Sequence, residues 1–142
     1  MRSRILLCLA MSALMSSGAA FAESAVKQIA VNASSTFFSV YREGGMSPAI
    51  ERIKACYDGA KTADAYIFCL AMDTQARRIE RSLSERSNAP MHAYFNDDAF
   101  EARLQLLERW YPRVTQLDYA KNQMMDGLEA GIKAEVALIE QK

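Results

Sequence analysis

Apolar residues recur at intervals of three and four along most of residues 48–139. That spacing places them on one face of an α-helix, whereas no convincing run shows the polar–apolar alternation of a half-buried strand. Turn and capping residues divide the pattern into four or five segments. The sequence therefore predicts an all-α fold, a small antiparallel bundle of four to five helices stapled by one disulfide.

The segment before residue 48 carries two competing signals. Four apolar positions repeat every fourth residue: Ile29, Ala33, Phe37 and Tyr41. This repeat favours a helix that ends at the glycine pair at positions 44 and 45. The β-branched and aromatic side chains of residues 36–41 would also suit a strand. We predict the helix, with residues 23–34 as a loose lead-in.

Capping residues mark where the next two helices begin. Ser47 precedes Pro48, a pair favoured at an N-cap and the first helical position. Thr62 is the predicted cap of a longer helix that continues to about Arg86.

Further along, Asn96 and the two acids after it are predicted to cap another helix. Pro112 disfavours helical geometry at the residue before it, so we expect a break there. A last helix follows over about residues 114–139. Gly127 and Gly131 leave one face of this helix without side chains at two positions, which indicates close packing against another helix.

Residues 1–22 have the three parts of a secretory signal peptide. Two arginines within the first four residues form a basic start, and an apolar stretch follows. Residues 20–22 (Ala-Phe-Ala) provide the small-x-small site that a signal peptidase cleaves. The apolar stretch is too short to anchor the chain in a bilayer. We therefore predict removal of residues 1–22, one helical domain at 23–142, and a periplasmic or secreted location.

Two cysteines remain once Cys8 leaves with the signal: Cys56 and Cys69. In an oxidising compartment such a pair forms a disulfide. A catalytic dithiol usually has the Cys-x-x-Cys spacing, which is not present. Both cysteines fall on the faces of consecutive predicted helices that we expect to be buried. We predict one disulfide across this hairpin, with a stabilisation of about 3 kcal/mol.

The processed chain is close to neutral. Without the two arginines of the signal, 15 basic and 17 acidic side chains remain, a net charge near −2. This balance provides no basic excess for non-specific binding to nucleic acid. No remaining apolar run is long enough for a membrane span. About 120 residues are enough to bury a hydrophobic core.

Catalytic and metal-binding chemistry is sparse. His92 is the only histidine, and one imidazole cannot build a multi-histidine metal site. It could act as a base beside Asp97 or Asp98, but no nucleophile motif accompanies it. Asp97, Asp98 and Glu101 could in principle run glycoside hydrolysis, yet acids in this position usually stabilise a helix N-terminus. We predict no catalytic residue, no metal and no cofactor.

The densest basic spot consists of Arg77, Arg78 and Arg81. Arg77 and Arg81 share a helix face and could hold a carboxylate or phosphate. Asp73 lies four residues before Arg77, and Glu85 lies four residues after Arg81. This spacing fits ordinary surface ion pairs, which is the interpretation we favour.

Large aromatic side chains gather near the non-helical joints: Tyr94, Phe95, Trp110 and Tyr111. Core packing is the default interpretation of such residues. Exposed Tyr and Trp in loops also anchor protein interfaces. If the chain contacts a protein partner, we predict that the contact includes these four residues.

These features favour a small secreted or periplasmic helical protein that binds another envelope or secreted protein. In size, compartment and cysteine count it resembles periplasmic lysozyme inhibitors and secretion-system immunity proteins, although no motif assigns residue roles. One alternative is a small envelope enzyme that gathers acidic and arginine side chains from several helices. Another is a helical carrier of a small ligand. An exposed aromatic patch would favour protein binding. Charged side chains that converge in a cleft would favour an enzyme, and an enclosed apolar cavity would favour a carrier. The sequence does not specify the oligomeric state.

Overall fold

The computed structural model describes residues 17–141, with side chains from residue 25 onward. This part of the chain contains five α-helices, two short 3₁₀ helices and no strand. The α-helices are α1 (Ser17–Gly44), α2 (Met46–Gly59), α3 (Ala63–Ser87), α4 (Asp97–Gln105) and α5 (Val114–Glu140). One 3₁₀ helix, Ala93–Phe95, precedes α4, and the other, Leu106–Arg109, follows it directly. The predicted all-α fold, a small helical bundle, is confirmed.

Helix α1 is longer than the sequence predicts. The predicted loose lead-in at residues 23–34 is wrong, because these residues belong to α1. Val26, Ala30 and Ala33 are buried on this stretch, so tertiary packing stabilises a segment of weak local signal. The strand alternative at residues 36–41 is also wrong, since the same helix continues through Phe37, which is 1% exposed.

Helices α1 and α5 pack side by side and run in the same direction. A Cβ added at Gly127 would lie 2.7 Å from the Cβ of Ala30, and one added at Gly131 would lie 2.6 Å from the Cβ of Ser34. These glycines therefore let the two backbones approach closely, which confirms the predicted close packing.

Helix α3 occupies the centre of the bundle. Ten of its residues between Tyr66 and Ala76 are buried. Thr62 is confirmed as its cap, because the Thr62 hydroxyl accepts a hydrogen bond from the Ala65 N–H at 3.2 Å. The helix ends where Asn88 adopts a left-handed conformation with φ 53°.

A disulfide joins α2 to α3. Cys56 and Cys69 are bonded, with their Cα atoms 5.5 Å apart, as the sequence predicts. The predicted start of α2 is wrong. Gly45, with φ +79°, takes the N-cap position, and α2 begins at Met46. The chain thus turns from α1 straight into α2, which leaves Ser47 inside the first turn.

The segment of residues 93–111 lies antiparallel along α3. Asn96 caps α4 as predicted, since its side-chain oxygen accepts a hydrogen bond from the Ala99 N–H at 2.7 Å. The predicted break at Pro112 falls between the second 3₁₀ helix and α5.

The N-terminal prediction falls largely outside the described residues. Residues 1–16 are not among them, and the backbone of residues 17–22 forms the beginning of α1. Within residues 17–141, no helix has both the length and the apolar character needed to cross a membrane.

Candidate functional site

The two arginines for which an anion contact was the alternative interpretation hold a carboxylate of this same chain. Arg77 and Arg81 both pair with Oδ1 of Asp97, Arg81 at 3.5 Å. Arg77 also donates a hydrogen bond to the Phe95 carbonyl at 3.3 Å, and its guanidinium lies 4.5 Å from the centroid of the Phe100 ring. Asp97 therefore occupies the place that an external anion would take between these arginines.

The acidic cluster fits the capping interpretation. Asp97 and Asp98 lie in the first turn of α4, where the helix dipole favours negative charge. His92 is exposed, and its Nδ1 accepts a hydrogen bond from the Tyr94 N–H at 3.1 Å. Among residues 25–141, whose side chains the structure describes, no group of three His, Cys, Asp or Glu side chains is placed to hold a metal ion.

The burial and the ion-pair partner of Asp73 differ from what the sequence predicts. The predicted surface pair with Arg77 is wrong, because Asp73 is 0% exposed and pairs with Arg103. Arg103 Nε donates to Oδ2 of Asp73 at 2.5 Å, and Nη2 donates to Oδ1 at 3.2 Å. The Tyr57 hydroxyl donates to Oδ2 at 3.0 Å. Position 73 faces inward since α3 is the central helix, and its partner comes from 30 residues further along the chain.

Three tyrosines surround this ion pair. Besides Tyr57, the Tyr66 hydroxyl donates to the Arg103 carbonyl at 2.7 Å. The Arg103 guanidinium lies 4.1 Å from the centroid of the Tyr94 ring and donates to the Tyr94 carbonyl at 3.1 Å. The Tyr94 hydroxyl is buried and has no hydrogen-bond partner. Residues from α2, α3, α4 and the first 3₁₀ helix thus meet here.

Burial and the central charges set the protonation of this cluster. Burial raises the pKa of Asp73, while the hydrogen bonds and charge of Arg103 oppose the rise. Burial alone would lower the pKa of Arg103, but Asp73 raises it above its ordinary value. Burial and the negative charge of Asp73 raise the pKa of Tyr66 to about 12, and they raise the pKa of Tyr57 and of Tyr94 as well. The cluster is therefore an ion pair ringed by neutral phenols.

An open cavity of about 300 Å³ lies beside the ion pair. We call it the tyrosine cavity; its lining includes Lys54, Tyr57, Tyr66, Tyr94 and Arg103. Asp73 is shielded from it, because both of its oxygens accept hydrogen bonds and its side chain is fully buried. The Asp73 carboxylate is therefore not presented to the cavity, and the carboxylate that does line it is that of the exposed Asp58.

The four aromatic residues predicted as one contact lie in two separate places. Tyr94 lines the tyrosine cavity. Phe95 is 0% exposed and packs edge-on to Tyr94 with ring centroids 5.0 Å apart, so the predicted contact is wrong for Phe95 and core packing applies. Trp110 and Tyr111 stand at the other end of the 93–111 segment and line a different cavity.

This second cavity has a volume of about 600 Å³ and lies between α1, the first turn of α3 and the first two turns of α5. We call it the aromatic groove; its lining includes Trp110, Tyr111, Tyr119 and Asp64. Trp110 and Tyr119 are each 38% exposed, and Ala120 is among the buried lining residues. The pKa of Tyr111 is raised by burial and by the negative charge of Asp64, which places that carboxylate near the phenol.

Two of the four residues named for the aromatic groove, Tyr119 and Asp64, were not predicted from the sequence as contact residues. Tyr119 and Asp64 lie within helices and carry no motif. Thr115 and Tyr119 are four residues apart and share a face of α5, but the spacing alone does not say that this face borders a groove.

Comparisons with protein-family models, with curated proteins and with solved structures found no match for this chain.

Proposed function

We propose that this chain is an exported helical protein that binds another envelope or secreted protein through the aromatic groove. The observation that carries the proposal is the exposure of Trp110 and Tyr119 beside one concave surface. The few residues that carry most of the binding energy at protein interfaces are enriched in Trp, Tyr and Arg. Exposed aromatic side chains around a cavity of this size favour an interaction surface over a plain solvated face.

The backbone that carries Trp110 is held in place, which supports a preformed contact. The N–H groups of Trp110 and Tyr111 both donate to the Leu107 carbonyl, at 3.0 and 3.1 Å. Leu107 itself is 0% exposed, so this turn is anchored in the core. Rigid aromatic side chains on an ordered turn lose little conformational entropy when they bind.

The test is capture from envelope and secreted fractions with three forms of the chain, followed by calorimetry with the purified captured protein. Trp110→Ala removes the groove's indole. Leu83→Ala is the matched control, because Leu83 is 41% exposed and lies on α3 about 28 Å from Asp64 along the helix axis. We expect the wild type and the control to bind alike, and Trp110→Ala to bind about 30-fold more weakly. Equal binding by all three forms would exclude the groove as the contact.

Export is the second part of the proposal. It is supported by the basic, apolar and small-residue pattern of residues 1–22 and by the disulfide, which persists in oxidising compartments. N-terminal sequencing of the protein from envelope and secreted fractions should give a chain that starts at or near Glu23. An intact Met1 on that material would contradict export through a cleaved signal.

A second candidate function is the binding of a small polar ligand in the tyrosine cavity. The specific observation is the buried Tyr94 hydroxyl without a partner, beside a cavity that Arg103 and Lys54 also line. A ligand with a hydrogen-bond acceptor would satisfy that hydroxyl once the Tyr94 side chain turns it toward the cavity. Such a ligand should raise the melting temperature of the wild type and have a smaller effect on Tyr94→Phe. The enzyme alternative gains less support, because Asp73 is shielded from the cavity and no second carboxylate accompanies Asp58 among the described residues that line it.

A further inference from the structure

The described lining of the aromatic groove carries a single formal charge, which is negative. Asp64 is the one charged side chain among the described residues that line it. Asp64 is exposed, and it takes part in none of the ion pairs formed within the described part of the chain. The groove therefore presents a carboxylate to whatever enters it.

The aromatic rings add to this negative character. The face of an aromatic ring attracts cations, and the indole of Trp does so most strongly. Trp110, Tyr111 and Tyr119 line the same cavity as Asp64. A carboxylate and three aromatic side chains around one concave surface form a site of the kind that takes organic cations.

The remaining lining suits an extended cation with several hydrogen-bond donors. Thr115 and Gln116 on α5 carry side-chain oxygens that can accept hydrogen bonds. Val26 and Ala120 are buried apolar residues that also line the groove. An aliphatic stem can pack on such a surface while its charged end meets the carboxylate.

We propose that the aromatic groove binds an arginine side chain of the protein partner, with the guanidinium stacked on the Trp110 indole and hydrogen-bonded to Asp64. This inference rests on the proposed protein-binding function and names the group that the groove recognises. Arginine fits better than a quaternary ammonium, which has no N–H to donate to Asp64. It fits better than lysine, because a planar guanidinium both stacks on a ring and pairs with a carboxylate through two hydrogen bonds.

The test uses the full chain and its own fluorescence, since Trp110 is the only tryptophan. The protein is titrated at low ionic strength with N-acetyl-arginine amide and with N-acetyl-citrulline amide, its uncharged analogue. N-acetyl-lysine amide and tetramethylammonium complete the set. We expect a saturable change of Trp110 emission with the arginine compound and at least tenfold weaker binding of the citrulline compound. The lysine compound and tetramethylammonium should also bind more weakly than the arginine compound.

Two variants assign the effect to the carboxylate. Asp64→Asn should remove the tenfold preference for arginine over citrulline. Asp58→Asn makes the same change of charge at an exposed residue that lines the tyrosine cavity instead, so it should keep the preference.

Several outcomes would overturn the inference. These are equal binding of arginine and citrulline, a preference that survives Asp64→Asn, tetramethylammonium or lysine binding as tightly as arginine, and no saturable response. The outcome that excludes the arginine is distinguishable from the outcome that excludes protein binding through the groove. A captured partner that is lost with Trp110→Ala but retained with Asp64→Asn would keep the groove as the contact and exclude an arginine as its anchor.

Discussion

A buried carboxylate loses its favourable interactions with water, and Asp73 replaces them with three hydrogen bonds. Two come from Arg103 and one from Tyr57. Removal of one member of such a pair leaves the other charge poorly compensated, whereas removal of both leaves no unpaired charge behind. The loss of folding stability on substitution of Asp73 or Arg103 therefore depends on whether the other charged side chain is left without its partner.

We expect Asp73→Ala to lower the free energy of unfolding by about 3 kcal/mol, because it leaves Arg103 without its carboxylate. Arg103→Met should also destabilise, since it leaves the fully buried Asp73 without its cation. The double variant Asp73→Leu, Arg103→Met should lose clearly less than the sum of the single changes. Urea denaturation of the single and double variants measures this coupling. Additive losses would contradict a coupled pair.

The tyrosines predict how stability depends on alkaline pH. An unfolded tyrosine ionises near pH 10, whereas burial and the charge of Asp73 raise the pKa of folded Tyr66 to about 12 and raise the pKa of Tyr57 too. The folded state therefore holds more protons above pH 10, so stability should fall as the pH rises from about 10 to 12. Denaturation curves at pH 8, 10 and 11 test this. Tyr66→Phe should lessen the decline; an unchanged decline would contradict the assignment.

At the scale of elements, the contact between α1 and α5 depends on missing side chains. Gly127→Ala would place a Cβ against the Lys27 carbonyl and 2.7 Å from the Cβ of Ala30. Alanine favours a helix by about 1 kcal/mol over glycine, but overpacking of this kind costs about 1–3 kcal/mol. We expect a lower melting temperature for Gly127→Ala.

Gly59→Ala is the control for this substitution, since nothing lies within 4 Å of its added Cβ. It should be neutral or slightly stabilising in the same thermal denaturation. Equal effects of the two substitutions would show that propensity, and not the contact between α1 and α5, decides the outcome.

The sequence predicted helix boundaries correctly where residues within a few positions of the boundary determine it. Thr62, Asn96 and Pro112 act within a few residues, and each marks a boundary that the structure has. Residues 23–34 lack such signals and are helical through packing against distant residues. Ser47 looked like a cap, but Gly45 with its positive φ takes that position first.

The sites were harder to predict, because they depend on which helix lies in the centre. The four-residue spacing of Asp73 and Arg77 is the same in a surface ion pair and in a buried helix. Only the central place of α3 turns Asp73 toward Arg103. Trp110 and Tyr111 stood out near a break in the helical pattern, whereas Tyr119 and Asp64 reach the same groove from within helices.

At the scale of the whole molecule, the disulfide supplements the core and does not replace it. It links α2 to α3 over a separation of 13 residues, while the core also includes α1, α5 and the second 3₁₀ helix. We expect the double substitution of Cys56 and Cys69 by Ala to lower the free energy of unfolding by about 2–4 kcal/mol. Far-UV circular dichroism should remain helical. A random-coil spectrum would show that the core cannot hold the fold alone.

Helix α4 contains no fully buried residue: Phe100 and Leu104 pack against the core partly buried, and ion pairs and a hydrogen bond also attach α4 to α3. Segments with little buried apolar surface open at a lower free energy than the core. Amide hydrogen exchange should therefore show α4 opening as a separate unit, with exchange at least tenfold faster than in the middle of α3, and faster still in Asp73→Ala. Uniform protection of both helices would contradict this. When α4 opens, Asp97 separates from Arg77 and Arg81. Transient opening of α4 would therefore expose two arginines whose charges Asp97 partly neutralises in the folded protein.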